Sequence, residues 1–165
     1  MMKGKKMNKY WIKKQHNFFV TDAAWYDKKT SRKVRILAET VERVLPTIRE
    51  ILGLKEDDAY VVIGAIKAQL TSGCWYPCKK EARVDYRVYT VNSCIETLAH
   101  ELVHAQQYAQ GRLTQKCGVF HWNDQAMGKH PTSHAKYLAL PWEVEARSKA
   151  KEIIIILKDM GLLNS

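Results

Sequence analysis

At 165 residues, with 46% hydrophobic and 27% charged side chains, the chain has the length and composition of one globular domain able to enclose a core without disulfide staples. The longest apolar run, Ile153 to Leu157, is far short of the roughly 18 to 20 residues of a membrane span, which excludes a transmembrane helix. The net charge of +10 is uneven: residues 1–35 hold eleven Lys or Arg against Asp22 and Asp27, whereas the rest hold sixteen against fifteen.

The basic segment predicts a flexible arm over 1–16, able to attract a polyanion such as nucleic acid, ahead of a folded domain over 17–165. Phe18 to Val20 is too short for the apolar region of a signal peptide, and four cysteines are too few for a disulfide scaffold. Both features predict a cytoplasmic protein with reduced thiols.

A first strand is expected within Asn17 to Asp22. From Thr30 to Leu54 the apolar residues Val34, Leu37, Ala38, Val41, Val44, Leu45, Ile48, Ile51 and Leu52 recur at helical steps, with a kink expected at Pro46 and a stop at Gly53. Tyr60 to Ile66 and Ala82 to Tyr89 read as neighbouring strands, separated by a turn or loop over Thr71 to Lys80. A helix is expected from a cap at Asn92 or Ser93 to Gln110, closed by Gly111. Arg112 to Leu140 reads as a long irregular section, of the kind that is functional or conceals short elements. A last helix follows, opened by Pro141, covering Trp142 to Met160, and stopped by Gly161.

The chemistry is concentrated in Thr97 to His104, which contains HELVH, an instance of HExxH. On a helix, residues four apart share a face, so His100 and His104 can direct two imidazoles at one ion, and the geometry suits Zn2+. Ile95, Leu98, Leu102 and Ala105 fall on the opposite, apolar side, which leaves the histidines facing a cleft. Glu101 lies between the two directions, placed to reach a metal-activated water as a general base.

Catalytic zinc normally takes three protein ligands. The continuation HExxHxxGxxH fails here, because its glycine and histidine positions are Gln107 and Gln110. In the last helix Ala146, Ala150 and Leu157 mark the inward face, and counting back three from Ala146 places Glu143 on it, with Glu145 well off it. A carboxylate in an apolar stripe is explained by a cation. Glu143 is thus the expected third ligand, with Glu145 and His121 as alternatives. The small Ala146 and Ala150 would let the two helices approach closely. Cys74, Cys78, Cys94 and Cys117 are expected as ordinary thiols, with a second zinc site or a disulfide as rivals.

HELVH with a downstream Glu-x-x-Ala helix resembles the gluzincin group of zinc metallopeptidases. ETLAHELVHAQQY with LPWEVEA is similar to small phage and bacterial SprT-like or ImmA/IrrE-like peptidases, over roughly residues 60 to 158. The resemblance implies an α+β zincin-like domain with a small sheet, an active-site helix beneath it and a C-terminal helix delivering Glu143. It also implies hydrolysis of a protein or peptide substrate, with Glu101 as base. In gluzincins an acidic or amide residue four positions after the glutamate ligand often orients a histidine. Here that position is Arg147, so the role would pass to another residue such as Glu96 or Asp124. SprT-like proteins are thought to use a third histidine, which points to His121.

Tyr137, His121 and His134 are candidate donors to the developing oxyanion, and the strand Ala82 to Tyr89, if it edges the cleft, could add a peptide by β-pairing. The competing reading is a non-catalytic zinc-binding or DNA-associated regulatory module on the same scaffold.

Overall fold

In a computed structural model the chain folds as a mixed α+β unit, described for residues 18–21, 31–66, 72–87 and 90–164. The basic arm over 1–16, with the nucleic-acid contact expected of it, lies outside the described residues.

The elements in chain order are β1 (Phe18–Val20), α1 (Ser31–Leu52), β2 (Tyr60–Ile63), β3 (Gly73–Tyr76), a 3-10 turn (Pro77–Lys79) and β4 (Glu81–Val84), then α2 (Val91–Ala109). After these come β5 (Leu113–Lys116), β6 (Val119–Trp122), β7 (Gln125–Gly128), α3 (His134–Leu138) and α4 (Pro141–Asp159).

Helix α1 buries the expected stripe from Val34 to Leu52, except that Ile51 is 40% exposed. It passes Pro46 as one continuous helix. Its end carries the hydrogen bond Leu54 N–H to Arg49 C=O at 2.9 Å, the six-to-one closure of a helix terminus. Arg49 is itself buried and donates through Nη2 to the Ala59 carbonyl at 2.7 Å, which ties this helix end to the start of β2.

The first sheet runs β1-β2-β4-β3. β1 and β4 are parallel to β2, with Val61 opposite Phe18 and Ala82, whereas β3 is antiparallel to β4. Two expectations change here. The segment expected as a turn or loop over Thr71 to Lys80 contains a strand, because Trp75 and Tyr76 favour pleated backbone and pair with Ala82 and Glu81. β4 is therefore an inner strand, hydrogen-bonded on both sides, and among the described residues the edges of the sheet are β1 and β3. β4 also ends at Val84, because the Asp85 carboxylate turns back to accept from the Ile66 and Arg87 backbone N–H groups, each at 2.9 Å.

Helix α2 starts two to three residues earlier than expected. Its cap is Thr90, whose Oγ1 accepts from Ser93 N–H at 3.2 Å. Cys94, Ile95, Leu98, Ala99, Leu102 and Val103 are buried along it, among the core side chains. Ala146 and Ala150 of α4 are buried as well, and the α2–α4 pair forms the most extensive helix–helix contact.

The section expected as irregular holds a three-stranded antiparallel meander, β5-β6-β7, and the single-turn α3. Both hairpin loops are two residues long with positive φ throughout: Cys117 and Gly118 at 50° and 78°, Asn123 and Asp124 at 48° and 65°. That is the mirror-image turn whose twist matches paired strands, and Gly118 and Asn123 are residue types that tolerate it. The meander docks through stacked rings, Phe120 on Trp142 at 5.5 Å and Trp122 against Trp142 at 6.1 Å.

Candidate metal centre

Helix periodicity places His100 and His104 one turn apart on α2, and the alanine contact brings the first turn of α4 alongside them. Among the described residues one group of potential metal donors converges, and it consists of His100, His104 and Glu143. His100 Nε2 lies 3.1 Å from His104 Nε2 and 3.3 Å from Glu143 Oε2, and His104 Nε2 lies 3.1 Å from Glu143 Oε1. A tetrahedral ion with ligands at about 2.0 to 2.1 Å requires donor separations of about 3.3 to 3.4 Å. The two imidazole nitrogens and the two carboxylate oxygens they approach are spaced close to that separation, and two imidazoles with a carboxylate form a donor set that suits zinc.

Both alternatives for the third ligand are placed elsewhere. Glu145 faces away and is held by Arg112, whose Nη1 and Nη2 each donate at 2.7 Å, and by Lys149 at 3.1 Å. His121 sits in β6, paired with Thr114 and Ala126, outside the converging group. The four cysteines are free, and none belongs to that group.

The orienting residue of His104 is Gln107, which sequence reasoning tested only as a failed glycine position. His104 Nδ1–H donates to Gln107 Oε1 at 2.9 Å, and Gln107 Nε2 donates to the Trp142 carbonyl at 3.0 Å. Gln107 is 0% exposed. This pair of bonds assigns the imidazole proton to Nδ1, leaves the Nε2 lone pair for a cation, and bridges α2 to α4 beside the ligand it carries. Glu96 lines the cleft and Asp124 sits in the exposed β6–β7 turn, and neither takes the orienting role. The available signal was a polar residue three positions after His104, on the same helix face.

Glu101 is buried beside the triad and also lines the cleft. Burial raises its pKa above the ordinary carboxylate value, with Glu143 adding to the rise, while the two imidazoles and the Trp75 backbone N–H pull against it. The edge strand comes very close here. A Cβ on Gly73 would stand 2.9 Å from Glu101 Oε1 and would overlap the Thr97 methyl, so only glycine lets β3 lie against Glu101.

Electrostatics of the triad follow from its partners. Burial works to raise the Glu143 pKa, but hydrogen bonds from His100, His104 and the Tyr137 hydroxyl outweigh it and hold the carboxyl well below the usual range. For His104, burial favours the neutral ring, yet the Glu143 hydrogen bond and the nearby Glu101 overcome it and raise the pKa. These partners therefore favour a protonated His104 ring against an ionised Glu143 carboxylate.

Of the three oxyanion candidates, Tyr137 is the one at the triad, with its hydroxyl donating to Glu143 Oε1 at 2.6 Å. Burial and that carboxylate push the phenol well above its ordinary pKa, so it stays a donor. Its ring stacks on His130 at 5.1 Å and on His134 at 6.5 Å, and His134 lines the cleft.

All of these groups open into one cleft of about 1210 Å³, walled by β3, α2, α4 and the 112–140 insert. No family model, curated protein or solved structure matches the chain.

Proposed function

We propose that the chain is a zinc-dependent peptide hydrolase of zincin type, with His100, His104 and Glu143 as ligands and Glu101 as general base. The observation that carries this reading is a buried carboxylate, Glu101, beside three converging residues able to hold a metal ion. A purely structural zinc site needs four protein ligands and no base.

A zinc ion in this position supplies Lewis acidity for a scissile carbonyl and brings the pKa of water towards neutrality. The chain's own groups do the rest. Glu101, with its raised pKa, takes the proton of the attacking water on a carboxylate oxygen and returns it to the leaving amine. Tyr137 offers its hydroxyl to the developing oxyanion. Gln107 keeps His104 in one tautomer throughout. Among the described residues β3 is an edge strand, and it, not β4 as the sequence suggested, is the strand that can align an extended peptide by backbone hydrogen bonds.

The decisive experiment pairs metal content with turnover of an unfolded protein substrate. Wild type and Glu101→Gln should both retain close to one zinc per chain, while hydrolysis falls by about 100-fold or more in the variant. Equal turnover in the two would reject the mechanism, and a folded chain that holds no zinc after supplementation would reject the reading itself.

A further inference from the structure

Outside the triad and Glu101, the Asp, Glu, Lys and Arg side chains lining the cleft are Glu96, Arg147 and Lys151. These are one negative and two positive charges, so this part of the lining carries a net positive charge, and among the described residues no carboxylate forms an ion pair with Arg147. Its one hydrogen-bond partner is the Leu138 carbonyl at the end of α3, reached through Nη2. Nη1 is covered and has no partner. One bond to a carbonyl leaves most of the five guanidinium donors unused, and a carboxylate is the group whose geometry a guanidinium fork matches.

Its position is fixed by the helix. Arg147 follows Glu143 by four residues, so it shares that face of α4 about 6 Å further along the axis. Extended peptide advances about 3.3 Å per residue, so this distance corresponds to about two residues from the bond opposite the ligand. The Leu138 carbonyl anchors the guanidinium beside Tyr137, on the same short helix, so both contacts join the insert to α4 next to the site.

We infer that Arg147 is a specificity-determining residue that receives a substrate carboxylate within about two residues of the scissile bond. The carboxylate is an acidic side chain or the end of the peptide chain. This rests on the hydrolase reading above and goes beyond it by naming the substrate class.

The test is binding, measured by fluorescence anisotropy on the full-length, zinc-loaded Glu101→Gln protein so that nothing is cleaved. Four otherwise identical short peptides serve as probes: C-terminally amidated with Glu, Gln or Lys next to a central Phe, and the Gln peptide with a free C-terminus. One carboxylate-bearing probe should bind about tenfold tighter than the amidated Gln peptide, and which one it is names the source of the carboxylate. That gap should close in Arg147→Gln, shrink but persist in Arg147→Lys, and invert in favour of the Lys peptide in Arg147→Glu. Equal binding of all four probes, no binding of any, or a gap unchanged in Arg147→Gln would overturn the inference. Zinc content and circular dichroism of each variant must equal those of the parent, and Arg147→Lys serves as the informative variant if the others do not fold. A chain that holds no zinc fails the hydrolase reading, whereas a zinc-loaded chain indifferent to carboxylates fails only this one.

Discussion

The two walls of the cleft are built on different physical terms. The α1–sheet–α2 side buries nearly every apolar residue it presents, including Leu37, Leu45, Ile48, Ile63, Leu98 and Leu102. The 112–140 side has one buried apolar side chain, Leu113, and β7 is exposed along its whole length. The first wall carries His100, Glu101 and His104, the second carries Tyr137, and Glu143 stands where the second returns to the core. Under the proposed function, placement of the two histidines would be left to the deeply packed region, while the lightly held region would contribute groups that meet the substrate.

The comparison can be broken most severely at Glu143. Glu143→Ala should lower zinc affinity by more than about 100-fold, since loss of a ligand exceeds the 10- to 100-fold typical of an orienting residue. Glu145→Ala, two residues away but paired with Arg112, should leave zinc content unchanged by elemental analysis. Next in size, Leu98→Ala in the first wall should destabilise by about 2 to 5 kcal/mol, whereas Met127→Ala in the second should stay within about 0.5 kcal/mol, both read from urea midpoints. Equal losses would dissolve the contrast between the walls.

Gln107→Leu should lower zinc affinity by about 10- to 100-fold in a chelator competition, because the His104 ring loses its acceptor while its packing remains. A subtler effect concerns pH in the metal-free protein. His104 has a raised pKa, so its contribution to stability is complete below the ordinary imidazole value and is lost as pH rises through the raised one. Glu143 has a depressed pKa, so its contribution is present above the ordinary carboxylate value and is lost only on strong acidification. Chelated protein should therefore lose stability as pH rises beyond the ordinary imidazole value. Zinc-loaded protein should not, because there the cation replaces the proton. The same exchange makes zinc affinity fall as pH drops through the His104 pKa.

How much of this could be read from sequence follows the same division. The α1 stripe, the HELVH face and the inward position of Glu143 are strongly periodic, and each lies where expected because burial enforces the period. β3 was hidden by Gly73 and Pro77, residues that usually mark turns, although Gly73 is there for its contact with Thr97 and Glu101. The meander was hidden because its strands are four residues long and, Leu113 apart, not buried, so no sustained apolar alternation announces them. Its two-residue turns, Cys117-Gly118 and Asn123-Asp124, were the legible trace. Gln107 escaped because its role depends on the Trp142 carbonyl of another helix, which no local pattern encodes.

His104 and Glu143 bracket the insert, so a single cation shared by them would act as a clasp across that excursion of the chain. Occupancy would then govern how firmly the outer wall is fastened, adding about 2.7 kcal/mol to folding stability at one hundred times the dissociation constant. Thermal midpoints would climb with free zinc, and purification in strong chelator would yield a looser molecule as well as an idle one.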